Sequence, residues 1–341
     1  MTATRKDPPR VVLLPGDGIG PEIVAAVRLI FDRCKVPLHF QEALIGARAI
    51  RETGSPMPDD TIELVRSSGI ALKGPVETPI GQGFRSVNVS LRQKLELYAN
   101  LRPVKSIPGI ESRYQDIDLV FIRENTEGLY SGLEHEIVPG VVTSLKVSTR
   151  TACTRIAEFA FRYAESSGRK KITAVHKANI LKLSDGLALV CYREVANRYP
   201  NIEYEEKIVD AVAMELVRRP ERFDILLMEN LYGDILSDLG AGLIGGLGLA
   251  PSANFGAAVA VFEAVHGTAP DIAGRGIANP IALLLSATQM LRHIGEREIA
   301  GQIERATFAV CREKRLLTPD LGGSGTTLSL AEAIAERSGR E

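Results

Sequence analysis

The sequence has no tryptophan, only 5% aromatic residues, four cysteines and five histidines in 341 positions. Cys34, Cys153, Cys191 and Cys311 lie far apart with no CxxC pair, which argues against a disulfide framework and thiolate-bound zinc and points to a reducing, cytoplasmic setting. His39, His135, His176 and His293 show no metal-ligand spacing and read as structural. Neither sign of charge dominates. Forty-one basic against 42 acidic residues give a net charge of -1, so no bulk field draws in nucleic acid or an anionic membrane surface. Long apolar runs are lacking too: the longest uncharged stretch, Leu239 to Phe262, is full of glycine, carries Pro251 and Asn254, and makes a poor membrane span. The opening MTATRKDPPR reads neither as a transit peptide nor as a signal sequence.

What is present is an average globular composition, 45% hydrophobic and 24% charged, in a chain long enough for about two domains. RVVLLP reads as a buried strand, and PEIVAAVRLIFDR as a helix with Pro21 at its first position. Further strands are predicted at PLHFQ, IALKG, IDLVFIR, KITAVH, IEYEEKIV, DILLM and VAVFEAV. Helices are predicted at PDDTIELVRSSG, NVSLRQKLELY, TRIAEFAFRYAESS, SDGLALVCYREVANRY, GDILSDLGAGLIGG and NPIALLLSATQMLRHIG. This alternation implies an α/β fold with a mostly parallel sheet and helices on both faces. Between Glu134 and Val147, two β-rich runs flank Pro139 and Gly140, a turn signal that predicts a hairpin arm. GDGIGPE lacks the GxGxxG spacing and no acidic residue is read as closing a second strand at the required distance, so the fold is not a Rossmann fold. Composition marks no domain boundary.

The most informative local pattern is NLYGDILSD. A turn at Gly233 leads from DILLM into a helix that carries Asp234 and Asp238 four residues apart on one face. Like charges at that spacing repel, a cost that a bound cation reverses, and hard carboxylate oxygens suit Mg²⁺ or Mn²⁺. Acids in a first helical turn equally complement the helix dipole. Arg92, Arg102 and Arg123 stand beside strand ends, where three guanidinium forks converging with Ser86 and Asn88 would suit a small polycarboxylate, whereas each alone suits a surface ion pair. Lys177 and Asn179 follow the strand KITAVH, the end of a parallel strand where ligands gather, and a lysine there can serve as a general base. Tyr130, near the start of the arm, is a candidate proton donor. HGTAPDIAG is rich in small residues that let backbone approach a ligand, and Asp271 in it can accept hydrogen bonds from a ribose diol.

In order and spacing, the strings LPGDGIGPE, LKGP, SVNVSLRQ, LYANLRPV, IRENTEGLYSG, VHKANI, VDA, NLYGDILSD, GGLGLAPSAN, HGTAPDIAG and NPIALLLSA resemble the decarboxylating β-hydroxyacid dehydrogenases, the isocitrate and isopropylmalate dehydrogenase family, along essentially the whole chain. The likeness is greatest to the members that oxidise isocitrate with NAD. It implies two domains, residues 1–98 with 256–341 on the cofactor side and 99–255 carrying the arm, the metal-binding carboxylates and the dimerisation surface. It implies oxidative decarboxylation of isocitrate to 2-oxoglutarate, with homoisocitrate or 3-isopropylmalate as alternative substrates and a non-catalytic regulatory subunit less favoured because the catalytic groups are kept. Ser86, Asn88, Arg92, Arg102, Arg123 and Asn179 would bind substrate, where a hydroxyl and an amide beside an arginine favour an anionic tail over an alkyl one. Tyr130, Lys177 and Asp210 would be catalytic, and Asp210, Asp234 and Asp238 would hold Mg²⁺ or Mn²⁺. Thr78, Glu263, His266, Gly267, Thr268, Ala269, Pro270, Asp271, Ile272 and Asn279 would hold NAD. A carboxylate at Asp271 repels the extra phosphate of NADP. Lys177 and Asp210 would come from a neighbouring subunit, making the active unit at least a homodimer with shared active sites.

Overall fold

The computed structural model describes residues 7–77 and 86–339, so Thr78 lies outside the described residues. The strands are β1 (Arg10–Leu14), β2 (His39–Glu42), β3 (Ile70–Lys73), β4 (Ala99–Lys105), β5 (Asp118–Glu124), β6 (Gly128–Val138), β7 (Val141–Val147), β8 (Lys171–His176), β9 (Glu203–Ile208), β10 (Ile225–Met228), β11 (Pro251–Phe255) and β12 (Ala260–Ala264). The helices are α1 (Gly20–Arg33), α2 (Ala47–Thr53), α3 (Asp59–Ser68), α4 (Val87–Lys94), α5 (Arg150–Ser167), α6 (Ser184–Ala196), α7 (Val209–Arg218), α8 (Asn230–Leu243), α9 (Ile281–Ile294), α10 (Arg297–Glu313) and α11 (Thr327–Ser338).

Ten strands form one sheet in the order β2-β1-β3-β12-β11-β4-β5-β10-β8-β9. The pairs β12–β11, β11–β4 and β4–β5 are antiparallel and the others parallel, so two parallel blocks running in opposite directions meet at the centre. That central reversal sets the sheet apart from a dinucleotide-binding fold. The expectation that no acid closes a second strand fails, since β2 ends at Glu42, whose carboxylate faces Arg28 and Arg48. β6 and β7 pair separately as the predicted hairpin. Its Leu133, Ile137, Val138, Val142 and Leu145 are exposed, apolar surface on both sides of the ribbon that one chain leaves uncovered.

Core formation follows the periodicity. α9 has an almost wholly buried run, Ile281 to Thr288, because it lies against β11 and β12 in the middle of the sheet. Two elements that the sequence patterns did not single out, β4 and β11, contain Pro103 and Pro251, which cannot donate to a ladder and so mask strand periodicity. Among the described residues no helix is long and apolar enough to cross a membrane.

Candidate functional site

Register places the polar side chains. Asn100 pairs with Arg123 and with Asn254, Ser252 with Glu263, and Glu263 with Lys73, while Arg102 lies two residues from Asn100. Opposed residues on neighbouring strands share a face, so these seven form a polar stripe across one face of β3, β12, β11, β4 and β5. All seven are buried.

Its arginines converge on α8. Arg123, only 1% exposed, gives Nε and Nη2 to Asn230 Oδ1 at 3.0 and 2.6 Å and Nη1 to Asp234. Arg102 Nη1 donates to Ser237 at 2.6 Å and to Asp238 at 3.0 Å, and Tyr130 donates its hydroxyl to Asp234. The Tyr130 ring also lies under the Arg123 guanidinium at 5.1 Å. Burial, then the charges of Arg92 and Arg102, pulls Arg123 down to about 10, and burial followed by Arg92 lowers Arg102. Arg102 Nη2 also lies 3.8 Å from Asp234, the carboxylate that Arg123 holds, and the repulsion both feel from Arg92 puts its charge beside them, as a polyanion site requires. Arg92 Nη2 is 3.5 Å from Glu263, whose other oxygen takes the Lys73 ammonium at 2.5 Å. Although burial opposes it, the charges of Lys73 and Arg92 hold Glu263 at about 2, fully ionised.

α8 differs from expectation in one respect. It begins at Asn230, not at a turn near Gly233, with Glu229 as N-cap accepting from Tyr232 N at 3.1 Å. Asp234 and Asp238 therefore lie beyond the first helical turn, which weakens the helix-dipole account of their placement. Gly233 packs where Arg123 passes: a Cβ there would come within 2.5 Å of Arg123 Cγ.

Ser86 caps α4, accepting from Val89 N at 3.5 Å, and so aims the helix carrying Asn88 and Arg92. Arg92 Nε, Arg102 Nε and Asn88 Oδ1 are buried and, among the described residues, have no hydrogen-bond partner. Unpaired guanidinium N–H groups in a basic cluster fit a carboxylate-bearing ligand.

The second group of expected residues lies apart. Lys177, in the turn after β8, ion-pairs with Asp210 at the start of α7, and Asn179 is exposed in the same turn. Hydrogen bonding to Lys177 holds Asp210 below the usual carboxylate range. Among the described residues no direct hydrogen bond or ion pair joins this couple to the arginine cluster, and no three His, Cys, Asp or Glu side chains form a metal cage. Asp234 and Asp238, about half exposed beside buried arginines, supply a hard-oxygen pair that suits a divalent cation, but one chain leaves the ligand set short.

In the expected cofactor segment, Thr268 O accepts from Ile19 N at 2.9 Å, joining HGTAPD to the GDGIG loop. Gly18, at φ +57°, is required there, because a Cβ would sit 2.0 Å from Thr268 O. His266 Nε2 is buried without a partner among the described residues and burial lowers the imidazole pKa, so the ring is neutral and free to bond a ligand. Gly267, Pro270 and Asp271 are exposed, Ala269 takes φ +40°, Ile272 is half-buried, and Asn279 donates to Asp320 at 2.9 Å. Sequence reading gave no role to Lys73, Asn100, Ser252 and Asn254, whose only chemical signal was polarity inside buried strands.

A buried basic cluster facing two acids on a helix, with a small-residue loop over the neighbouring strands, defines an α/β site for an acidic substrate. The Isocitrate/isopropylmalate dehydrogenase family model matches residues 10–336, and the chain belongs to that family. It is 53% identical over 330 residues to the Arabidopsis thaliana isocitrate dehydrogenase [NAD] catalytic subunit 5, mitochondrial, covering 96% of this chain and 88% of that protein. It is 55% identical over 298 residues to the chloroplastic 3-isopropylmalate dehydrogenase of Solanum tuberosum, covering 87% and 84%. A crystal structure of isocitrate dehydrogenase from Methylococcus capsulatus superposes with a TM-score of 0.93 at 50% identity, covering 96% of this chain and 99% of that one. The cytoplasmic expectation is corrected here: the isocitrate dehydrogenase subunits that the chain matches are mitochondrial proteins. Scattered free cysteines suit any reducing compartment, and the cytoplasm is not the only one.

Proposed function

We propose that this chain oxidises and decarboxylates isocitrate with NAD⁺, giving 2-oxoglutarate, CO₂ and NADH. The observation that carries the reading is the convergence of Arg92, Arg102 and Arg123, two of them with a buried unpaired Nε, beside Asp234 and Asp238. Three guanidinium groups match a tricarboxylate in number and charge.

Glu263, His266 to Ile272 and Asn279, with Thr78, would hold NAD⁺, which would supply the hydride acceptor, and Asp234 and Asp238, with Asp210 of a second copy, would hold a divalent cation, which would supply Lewis-acid stabilisation of developing negative charge. Arg92, Arg102 and Arg123 bind and orient the carboxylates, with Ser86, Asn88 and Asn179 completing the substrate surface. Lys177, with Asp210, takes the proton of the C2 hydroxyl. Tyr130 gives a proton to C3 after CO₂ departs, and burial followed by Asp234 raises its pKa, so the phenol carries that proton at neutral pH. Because Lys177 and Asp210 lie apart from the arginine cluster within one chain, the reading assigns them to the site of a neighbouring copy. The hairpin's exposed apolar surface supports a homodimer of this kind. The domain division at residues 98 and 256 belongs to the same reading.

The 55% identity to an isopropylmalate enzyme favours that substrate as the second reading. Ser86, Asn88 and Arg92 argue against it, since an isopropyl tail would leave them unsatisfied. Steady-state kinetics on isocitrate, homoisocitrate and 3-isopropylmalate with NAD⁺ and Mn²⁺ tests the choice. The expected result is the highest kcat/KM for isocitrate, and a higher value for either rival overturns the assignment.

A further inference from the structure

β4 presents different chemistry to its two sides. Asn100 and Arg102 face α8 and the arginine cluster, whereas Leu101, Pro103 and Lys105 face the other way, lining a cavity of about 1120 Å³ together with α5 and α9. A space of that size accepts a whole small molecule. It shares no residue with the acidic-substrate site or with the HGTAPD loop.

The lining specifies an occupant. Tyr98, Phe159, Phe255 and His293 form a run of adjacent rings, edge to face with centroids 6.3 Å apart for Tyr98 and Phe159, and tilted at 5.3 Å for Phe159 and Phe255 and at 5.6 Å for Phe255 and His293. Partial desolvation lowers the His293 pKa, and because the rings are tilted against one another and Arg155 lies over Tyr98, the run offers single ring faces, Phe159, Phe255 or His293, on which one planar ring can stack. Beside it, Arg169 is committed to Asp118 and Asp224, and Arg292 to Glu304. Arg162 and Lys105 are exposed and, among the described residues, form no ion pair, which leaves two positive charges available. Gln289, on the same wall, has both Oε1 and Nε2 buried with no hydrogen-bond partner among the described residues. A buried amide with donor and acceptor both unpaired is costly to keep, and it matches the edge of a heterocycle that presents an acceptor and a donor side by side.

We propose that this cavity binds a planar heteroaromatic anion. The ring stacks on one face of the aromatic run, its hydrogen-bonding edge meets Gln289, and its carboxylate or phosphate meets Arg162 and Lys105. Isothermal titration of the full-length protein, saturated with NAD⁺ to block the cofactor loop, tests this with orotate as the carboxylate-bearing ring and uridine monophosphate as the phosphate-bearing one. Uracil, which lacks the anion, and ribose 5-phosphate, which lacks the ring, are the controls. At least one of the two anionic rings is expected to bind saturably and at least tenfold more tightly than either control, and the stronger arm identifies the anion. Gln289→Leu, close in size and free of the unpaired amide, should keep or raise the melting temperature while weakening binding tenfold or more. Arg162→Glu should weaken it similarly. Absence of saturable binding by both rings, binding by ribose 5-phosphate as tight as by uridine monophosphate, or affinity that survives Gln289→Leu and Arg162→Glu overturns the proposal.

Discussion

The arginine cluster and the Lys177–Asp210 couple are both cation–carboxylate arrangements, yet they sit in opposite environments. Arg123 and Arg102 are almost fully buried and tied to α8 by five hydrogen bonds to Asn230, Asp234, Ser237 and Asp238. The side chains of Lys177 and Asp210 are 30% and 68% exposed and hold mainly each other. A buried pair is fixed by the fold and unforgiving of loss, while an exposed pair contributes little to stability and is free to serve another surface. The first cluster therefore reports folding and binding together, and the second reports chemistry alone.

The sharpest way to break the contrast is Arg123→Met. It removes the guanidinium while filling much of its volume, and leaves Asn230 without these donors and Asp234 with Tyr130 as its remaining one, so urea unfolding should show a loss of about 3–5 kcal/mol along with loss of isocitrate binding. An unchanged midpoint would mean that the cluster is not what holds α8 to β5. Lys177→Ala should do the reverse. Its unfolding curve should stay within about 0.5 kcal/mol of wild type and NAD⁺ binding should persist, while turnover falls about 10²- to 10⁴-fold. Mixing that variant with Asp234→Ala separates cis from trans: a site shared between copies leaves each hybrid dimer one intact site of two, so a random mixture regains roughly a quarter of wild-type activity, and a site within one chain regains none.

Gly233→Ala is gentler and probes the seam between the strand and the helix. The added methyl must displace Arg123 Cγ, a crowding cost of about 1–3 kcal/mol that a gain of up to about 1 kcal/mol in helix propensity offsets in part. A rise in isocitrate KM at nearly constant kcat is the expected signature, and a variant more stable than wild type with unaltered KM would show that Arg123 has room to spare.

The same contrast explains what the sequence made legible. Asp234 and Asp238 were readable because a helix gives i and i+4 one face, and the three arginines because each stands in a recognisable string. Their meeting was not readable, since it depends on β4 and β11, strands masked by Pro103 and Pro251 and paired in an order unrelated to the chain. The start of α8 was misplaced by three residues because Gly233 looks like a turn residue, and only the passage of Arg123 across the helix explains a glycine inside it. Lys73 and Asn254 also stand in recognisable strings, LKGP and GGLGLAPSAN, but their role was not legible: one polar residue in a buried strand acquires a reason only from its cross-strand partner.

The mildest perturbation of the buried side changes no residue. Glu263 is ionised down to about pH 2 in the folded protein by Lys73 and Arg92, against an ordinary value near 4.5 when the chain is unfolded. A carboxylate whose folded pKa is depressed gives stability that is complete above its unfolded value and is lost as pH falls toward the folded one. Wild type should therefore lose this contribution between about pH 4.5 and 2, a window in which Glu263→Gln, already without the charge, has nothing comparable to lose. Urea unfolding of the two proteins across that range should show their stability difference shrinking on acidification. A difference that stays constant would mean that the stripe from Lys73 to Arg123 owes its order to packing and amide hydrogen bonds, and the Asn100–Asn254–Glu263 bridge would then be its main support.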